Sequence, residues 1–148
     1  MSKMIIEELK PPSQYERILN YLKKTDNEYL PKTSLLVTSL YDYSKKIAEY
    51  ANVYFIKIED EDIGICAIYM NTEKAFITSI GIIEKYQNKG IATYLFNYVF
   101  KCVKDCGINI IELEVYKENR KAIKCYEKNG FKKNTEYEKR IRYEKIMN

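Results

Sequence analysis

The stretch Ile77-Thr-Ser-Ile-Gly-Ile-Ile-Glu-Lys-Tyr-Gln-Asn-Lys-Gly-Ile-Ala-Thr-Tyr-Leu95 changes character halfway along. Its first part is β-branched and apolar, as a strand requires. Glu84 to Gly90 is a polar loop, and from Ile91 apolar residues return at helical spacing. An anionic group is best held where a strand ends, a glycine lets the backbone approach, and a helix N-terminus presents unpaired N–H donors. Gln87-Asn-Lys-Gly-Ile-Ala92 supplies all three. Gly90 permits close approach, small Ala92 leaves the helix end open, and Lys89 adds charge. The loop lacks the G-x-G-x-x-G of a dinucleotide turn and the G-K-[ST] of a P-loop. A nucleoside triphosphate is therefore disfavoured, while a pyrophosphate fits.

The flanking sequence sorts into alternating elements. Met4–Leu9 reads as a strand closed by Pro11-Pro12, and Ser13 as the cap of a helix running to about Thr25. Pro31 breaks the chain before a second helix over roughly Tyr41–Tyr50. Val53–Ile58 and Ile63–Met70 form a hairpin about the acidic run Glu59–Asp62, expected to stay in water. Ala75–Ile83 is a third strand after a turn around Asn71–Lys74. The helix opening at Gly90 lasts to about Cys106, with Ile91, Leu95, Tyr98, Val99, Cys102 and Cys106 on its apolar face and Gly107 as C-cap. Ile110–Tyr116 is a strand, Asn119–Asn129 a helix stopped by Gly130, and two last strands follow from Phe131 and over Arg140–Met147. The order β-α-α-β-β-β-α-β-α-β-β predicts one domain with a mixed sheet and helices on its faces, of α+β or α/β class.

Composition narrows the chemistry. The 148 residues include 25 Lys+Arg, 21 Asp+Glu and no histidine. That absence excludes Ser-His-Asp and Cys-His catalysis, zinc sites with histidine ligands and a histidine general base. Carboxylates, tyrosine, lysine, cysteine or bound water must move any proton. Cys66, Cys102, Cys106 and Cys125 show no CxxC pair and read as reduced thiols of a cytoplasmic protein, with no metal site. The longest uncharged apolar run, Ile63–Met70, is far shorter than the roughly 18 residues of a membrane span, and the N-terminus has no signal-peptide core. Residues 117–148 carry 11 basic and 5 acidic groups, against 14 and 16 before them. This basic end suits an anionic ligand or a solvated surface; no nucleic-acid-binding pattern accompanies it.

Two segments at a fixed separation define a family. Ile77–Leu95, followed by Leu113-Glu-Val-Tyr-Lys-Glu-Asn119 and Ala122-Ile-Lys-Cys-Tyr-Glu-Lys-Asn-Gly-Phe131, resembles the GNAT superfamily of acyl-CoA-dependent N-acetyltransferases. The likeness is strongest over residues 75–131. It implies a mostly antiparallel sheet flanked by helices, with parallel strands splayed at the cofactor site, and acetyl-CoA as cosubstrate without metal. By the same resemblance, the backbone of Ile80, Gly81 and Ile82 pairs with the pantetheine arm. Gln87, Asn88, Lys89, Gly90, Ile91, Ala92 and Thr93 hold the pyrophosphate, and Asn119 contacts the cofactor. Tyr126 takes the place of the general-acid tyrosine. Ala92 stands where the family commonly has Gly. Ser13–Ala51 matches no pattern residue by residue, though it occupies the acceptor-binding region.

Acyl transfer from a thioester makes three demands. The amine, with a pKa of about 10.4 if lysine-like, must lose its proton. The carbonyl oxygen needs donors as it gains charge, a role for backbone N–H groups near Ile82. The departing thiolate needs a proton, which a phenol of pKa about 10 holds at neutral pH, so Tyr126 suits. Glu112 and Glu114 share one face of their strand, and burial there would raise a carboxyl pKa. Glu114, twelve residues before Tyr126, resembles the Glu/Tyr pair of the ribosomal-protein N-terminal alanine acetyltransferases and is the candidate base, working through water. Thr78, Ser79 and the tyrosines Tyr15, Tyr21, Tyr29, Tyr41 and Tyr43 are weaker candidates for lining the site. The expected reaction is direct attack by a primary amine of a small molecule, an amino sugar being one option. A protein N-terminus and a non-catalytic CoA-binding module are the alternatives. No nucleic-acid or membrane partner is expected, and a homodimer stays open.

Overall fold

The β-rich runs pair into one seven-stranded sheet in the order β1-β2-β3-β4-β5-β7-β6, seen in a computed structural model that describes residues 3–70 and 73–148. The strands are β1 (Met4–Leu9), β2 (Asn52–Ile58), β3 (Glu61–Tyr69), β4 (Ala75–Ile82), β5 (Ile110–Tyr116), β6 (Lys132–Glu136) and β7 (Arg140–Ile146). Every pairing is antiparallel except β4 with β5. The expected element order and mixed sheet are both present. The turn expected around Asn71–Lys74 lies partly outside the described residues.

Among the described residues four α-helices cover the sheet: α1 (Tyr15–Thr25), α2 (Leu40–Tyr50), α3 (Ile91–Asp105) and α4 (Arg120–Lys128). Successive strand residues point to opposite faces, so two neighbours on β2 locate the layers. Phe55 meets Tyr21 of α1, while Tyr54 meets Tyr98 of α3. α1 and α3 therefore lie on opposite faces. α2 packs beside α1, where Tyr15 and Tyr41 meet edge to face, and α4 sits beside α3 through Tyr126 and Phe96. Covered on both faces, β3 is buried from Ile63 to Ile68.

Three local expectations change. Ser13 does not cap α1; Gln14 holds the N-cap position without a side-chain bond, and Ser13 instead gives its N–H to the Ala48 carbonyl at 2.7 Å, tying α1 to α2. The β2–β3 turn is only Glu59-Asp60, with Glu59 at φ 57°. Asp62 belongs to β3 and leaves water for a two-pronged bond to Arg17, at 3.0 and 2.8 Å. Arg17 also meets Glu7 and lies 4.3 Å over the Phe55 ring, so one guanidinium joins α1, β1, β2 and β3. On α3, the buried stripe is Ile91, Leu95, Phe96, Val99 and Val103, whereas Tyr98 and Cys106 are exposed. The helix is rotated toward Phe96 because Phe96 closes an aromatic cluster with Phe100, Tyr126 and Phe131.

One irregularity opens the sheet. The β3–β4 register runs Ala67↔Ser79 and then Ile68↔Ile77, leaving Thr78 as an extra residue on β4. Tyr43 of α2 donates to the Thr78 carbonyl at 2.8 Å, and its hydroxyl also lies 2.7 Å from Thr78 Oγ1. The parallel ladder between β4 and β5 consists of Ala75↔Ile111 and Phe76↔Glu112 and stops before this bulge. Beyond it β5 turns to β7, and β4 keeps only β3.

Leu95→Ala, at a fully buried position of the α3 stripe, should cost about 2–5 kcal/mol in urea unfolding with an unchanged slope. The Arg17 hydrogen bond, and next Lys57, hold the Glu7 carboxyl below its ordinary value of 4.5. Its small contribution is complete above that value and lost as pH falls through the lower folded value. Glu7→Gln should flatten the acid limb of the Tm–pH curve to that extent.

Candidate active site

Where β4 and β5 part, a cavity of about 620 Å³ opens. Its first wall is the bare edge of β4. Ile83 N–H bonds to Ile63 O across β3. The two-residue alternation of an antiparallel ladder therefore turns the N–H groups of Ile82 and Ile80 to the other edge, toward the gap. Ile80, Gly81 and Ile82 all line the cavity, and the side-chain amide of Gln87 takes up the Ile82 carbonyl at 2.8 Å.

The second wall is the start of α3. Gly90 lies at φ 79°, in the left-handed region, and a Cβ there would meet nothing within 4 Å. No side chain caps the helix, and Tyr94 N–H to Gly90 O is its first turn bond. The N–H groups of Ile91, Ala92 and Thr93 are thus left for a ligand. Gln87, Asn88, Gly90, Ile91, Ala92 and Thr93 line the cavity, and Lys89 is not among the lining residues. Gln87 also acts as a staple, since its Oε1 accepts from Lys121 of α4 at 2.8 Å. An open edge, a glycine turn and an uncapped helix fit an extended arm ending in a pyrophosphate.

The third wall is α4. Asn119 caps it by accepting the Ala122 N–H at 3.2 Å and borders the cavity, its amide nitrogen remaining free among the described residues. Tyr126 lines the cavity with its ring edge-on to both Phe96 and Phe131. Its hydroxyl has no hydrogen-bond partner among the described residues, and burial pushes the phenol well above its ordinary value of 10. It is therefore a protonated donor with its proton uncommitted.

Glu114 is not at this cavity. Arg140 donates to its Oε1 at 2.6 Å and Arg142 to its Oε2 at 2.9 Å. Its cross-strand partner in the β5–β7 ladder is Arg142 itself. With both oxygens engaged by guanidiniums and its side chain outside the lining of the cavity, Glu114 is not carried forward as the base. Glu112 is buried beside the same Arg142, at 3.3 Å.

The cavity instead reaches residues of the unmatched segment: Tyr21, Thr25, Glu28 and Tyr29. Of the five candidate tyrosines only Tyr21 and Tyr29 line it; Tyr15 and Tyr41 pair with each other and Tyr43 holds the bulge. Thr78 and Ser79 lie behind the lining. Glu28 and Glu84 are the carboxylates of the lining. Glu28 Oε1 accepts the Glu84 N–H at 2.7 Å, and Oε2 has no partner among the described residues. Nothing in the sequence marked Glu28, because its place depends on how the α1–α2 connection folds over β4. Among the described residues no helix is long and apolar enough to cross a membrane, and no cluster of metal-ligating side chains occurs.

The chain belongs to the Acetyltransferase (GNAT) family, whose model matches residues 15–131. It is 32% identical over 107 residues to the N-alpha-acetyltransferase of Saccharolobus solfataricus, a stretch covering 63% of this chain and 64% of that protein. The match thus spans slightly less than two thirds of that relative. Among solved structures, a probable acetyltransferase from Staphylococcus epidermidis superposes with a TM-score of 0.79 at 17% identity, covering 99% of this chain and 100% of the other. The PaiA N-acetyltransferase from Thermoplasma acidophilum, in complex with coenzyme A, superposes at 0.75 with 18% identity, covering 97% and 99%. These two likenesses are of fold.

Gly90→Val forces a branched side chain into the left-handed region and aims it at the open helix end. Acetyl-CoA affinity measured by calorimetry should fall by about ten-fold or more. Undiminished affinity would remove the pyrophosphate from this turn.

Proposed function

We propose that the protein transfers the acetyl group of acetyl-CoA to a primary amine of a small molecule by direct attack. One observation carries the reading: a single cavity joins an uncapped helix N-terminus, a bare strand edge and the uncommitted Tyr126 hydroxyl. Acetyl-CoA, when bound, supplies an acetyl thioester. The Ile80 and Ile82 N–H groups face the place where its carbonyl oxygen would gain charge. Tyr126 holds a proton for the sulfur as the carbon–sulfur bond breaks. Glu28, through its free oxygen and a water, receives the proton that the amine gives up. The hydroxyl-rich wall of Tyr21, Thr25 and Tyr29 favours a polar acceptor such as an amino sugar.

The second reading is acetylation of a protein N-terminus, favoured by the identity to the Saccharolobus N-alpha-acetyltransferase. A panel of amino sugars, polyamines, amino acids and N-terminal peptides, followed by release of free CoA thiol, decides between them. Tyr126→Phe keeps the ring against Phe96 and Phe131 and removes only the proton donor. It should lower kcat by about ten-fold or more with acetyl-CoA affinity unchanged. Unchanged turnover would refute the acid role. No thiol release with any acceptor would leave a CoA-binding module.

A further inference from the structure

Among the described residues, one fully buried side-chain polar atom lacks a hydrogen-bond partner: the Tyr29 hydroxyl. Such groups are rare in folded proteins and call for a specific reason. The hydroxyls of Ser79, Thr25 and Tyr21 surround it, yet none makes a bond of good geometry with it. Burial pushes the phenol up to about 12, so it is neutral and protonated at physiological pH.

Gly81 is shaped around this hydroxyl. It lies in regular β4, where no positive φ demands glycine. A Cβ at Gly81 would fall 2.6 Å from the Tyr29 oxygen and 3.1 Å from its Cζ. Any other residue would drive the phenol away from the strand. The Tyr29 oxygen is thus seated against β4 between Ile80 and Ile82, whose N–H groups face the gap. Tyr21 belongs to the same wall but is already committed, donating to the Gly81 carbonyl at 3.3 Å.

The segment that delivers Tyr29 is clamped on both sides. Asp26 accepts from the Ser34 N–H at 2.8 Å and from its hydroxyl at 2.6 Å, and the Tyr29 N–H returns to the Asp26 carbonyl. Glu28 is fastened to the Glu84 N–H. Tyr29 reaches β4 from the α1 side of the sheet, and Tyr126 from the α4 side. Tyr126 serves the departing sulfur, which leaves the α1 side for the arriving nitrogen.

We propose that the Tyr29 hydroxyl oxygen accepts a hydrogen bond from the amine of the acceptor and holds that nitrogen against the Ile80–Ile82 edge. The assignment rests on the acetyl-transfer reading and adds to it the residue that positions the nucleophile. An orphaned hydroxyl kept for a ligand has a distinctive signature: its removal leaves the free protein as stable or more stable, and only acceptor recognition suffers.

The test is Tyr29→Phe, assayed with D-glucosamine and with an alanine-initiated hexapeptide, using whichever the wild type turns over faster. The expected result is a rise of about ten-fold in acceptor KM, acetyl-CoA affinity within about two-fold of wild type, and a Tm unchanged or raised. Unchanged acceptor KM overturns the proposal while leaving acetyl transfer intact. A lowered Tm with acceptor and acetyl-CoA constants shifted together also overturns it, since that is the mark of a packing role. Wild type inactive on both probes overturns this inference, and inactivity on the whole acceptor panel ends the acetyl-transfer reading as well.

Discussion

The extra residue at Thr78 governs the molecule. A continuous parallel ladder between β4 and β5 would satisfy both edges and leave no place for a ligand. The bulge ends that ladder after Phe76↔Glu112 and leaves the N–H groups of Ile80 and Ile82 without strand partners. The Tyr43 hydroxyl makes the distortion tolerable by taking the displaced Thr78 carbonyl. Backbone polarity spared from the sheet is thereby made available to a substrate.

The two helical layers divide the labour at that opening. On the α3–α4 side stand an uncapped helix end, a capping Asn119 and a phenol kept neutral by aromatic packing. On the α1–α2 side stand hydroxyls and Glu28. The Gln87 staple fixes α4 to the sheet, because one side chain bonds the end of β4 and Lys121 of α4. Arg17 plays the same part for α1 by fixing it to β1 and β3. Both walls are consequently held at fixed distances from the β4 edge.

Much of this was legible in the chain. Strand and helix periodicities gave the order of elements, and Gly90 and Asn119 announced two helix starts through local backbone needs. Tyr126 was readable only through its spacing to neighbouring motifs. Side-chain partners across the sheet were not legible. Glu114 shares a β5 face with Glu112, but nothing local says that Arg140 and Arg142 lie opposite. Asp62 looked like part of a solvated turn until Arg17 reached it from α1. Phe96 replaced Tyr98 on the buried face of α3 because aromatic residues on α4 and after it decide which side of that helix is inside.

The sequence by itself determined the absence of histidine chemistry, a matter of composition, and the alternation of elements and the glycine turn before α3, which depend on residues within a few positions of one another. Only the tertiary structure decided which carboxylates meet the cavity, why Gly81 is glycine, and which phenols are spent on structure. Those facts depend on contacts between segments far apart in the chain, such as Tyr29 against Gly81, where packing in three dimensions sets the neighbours.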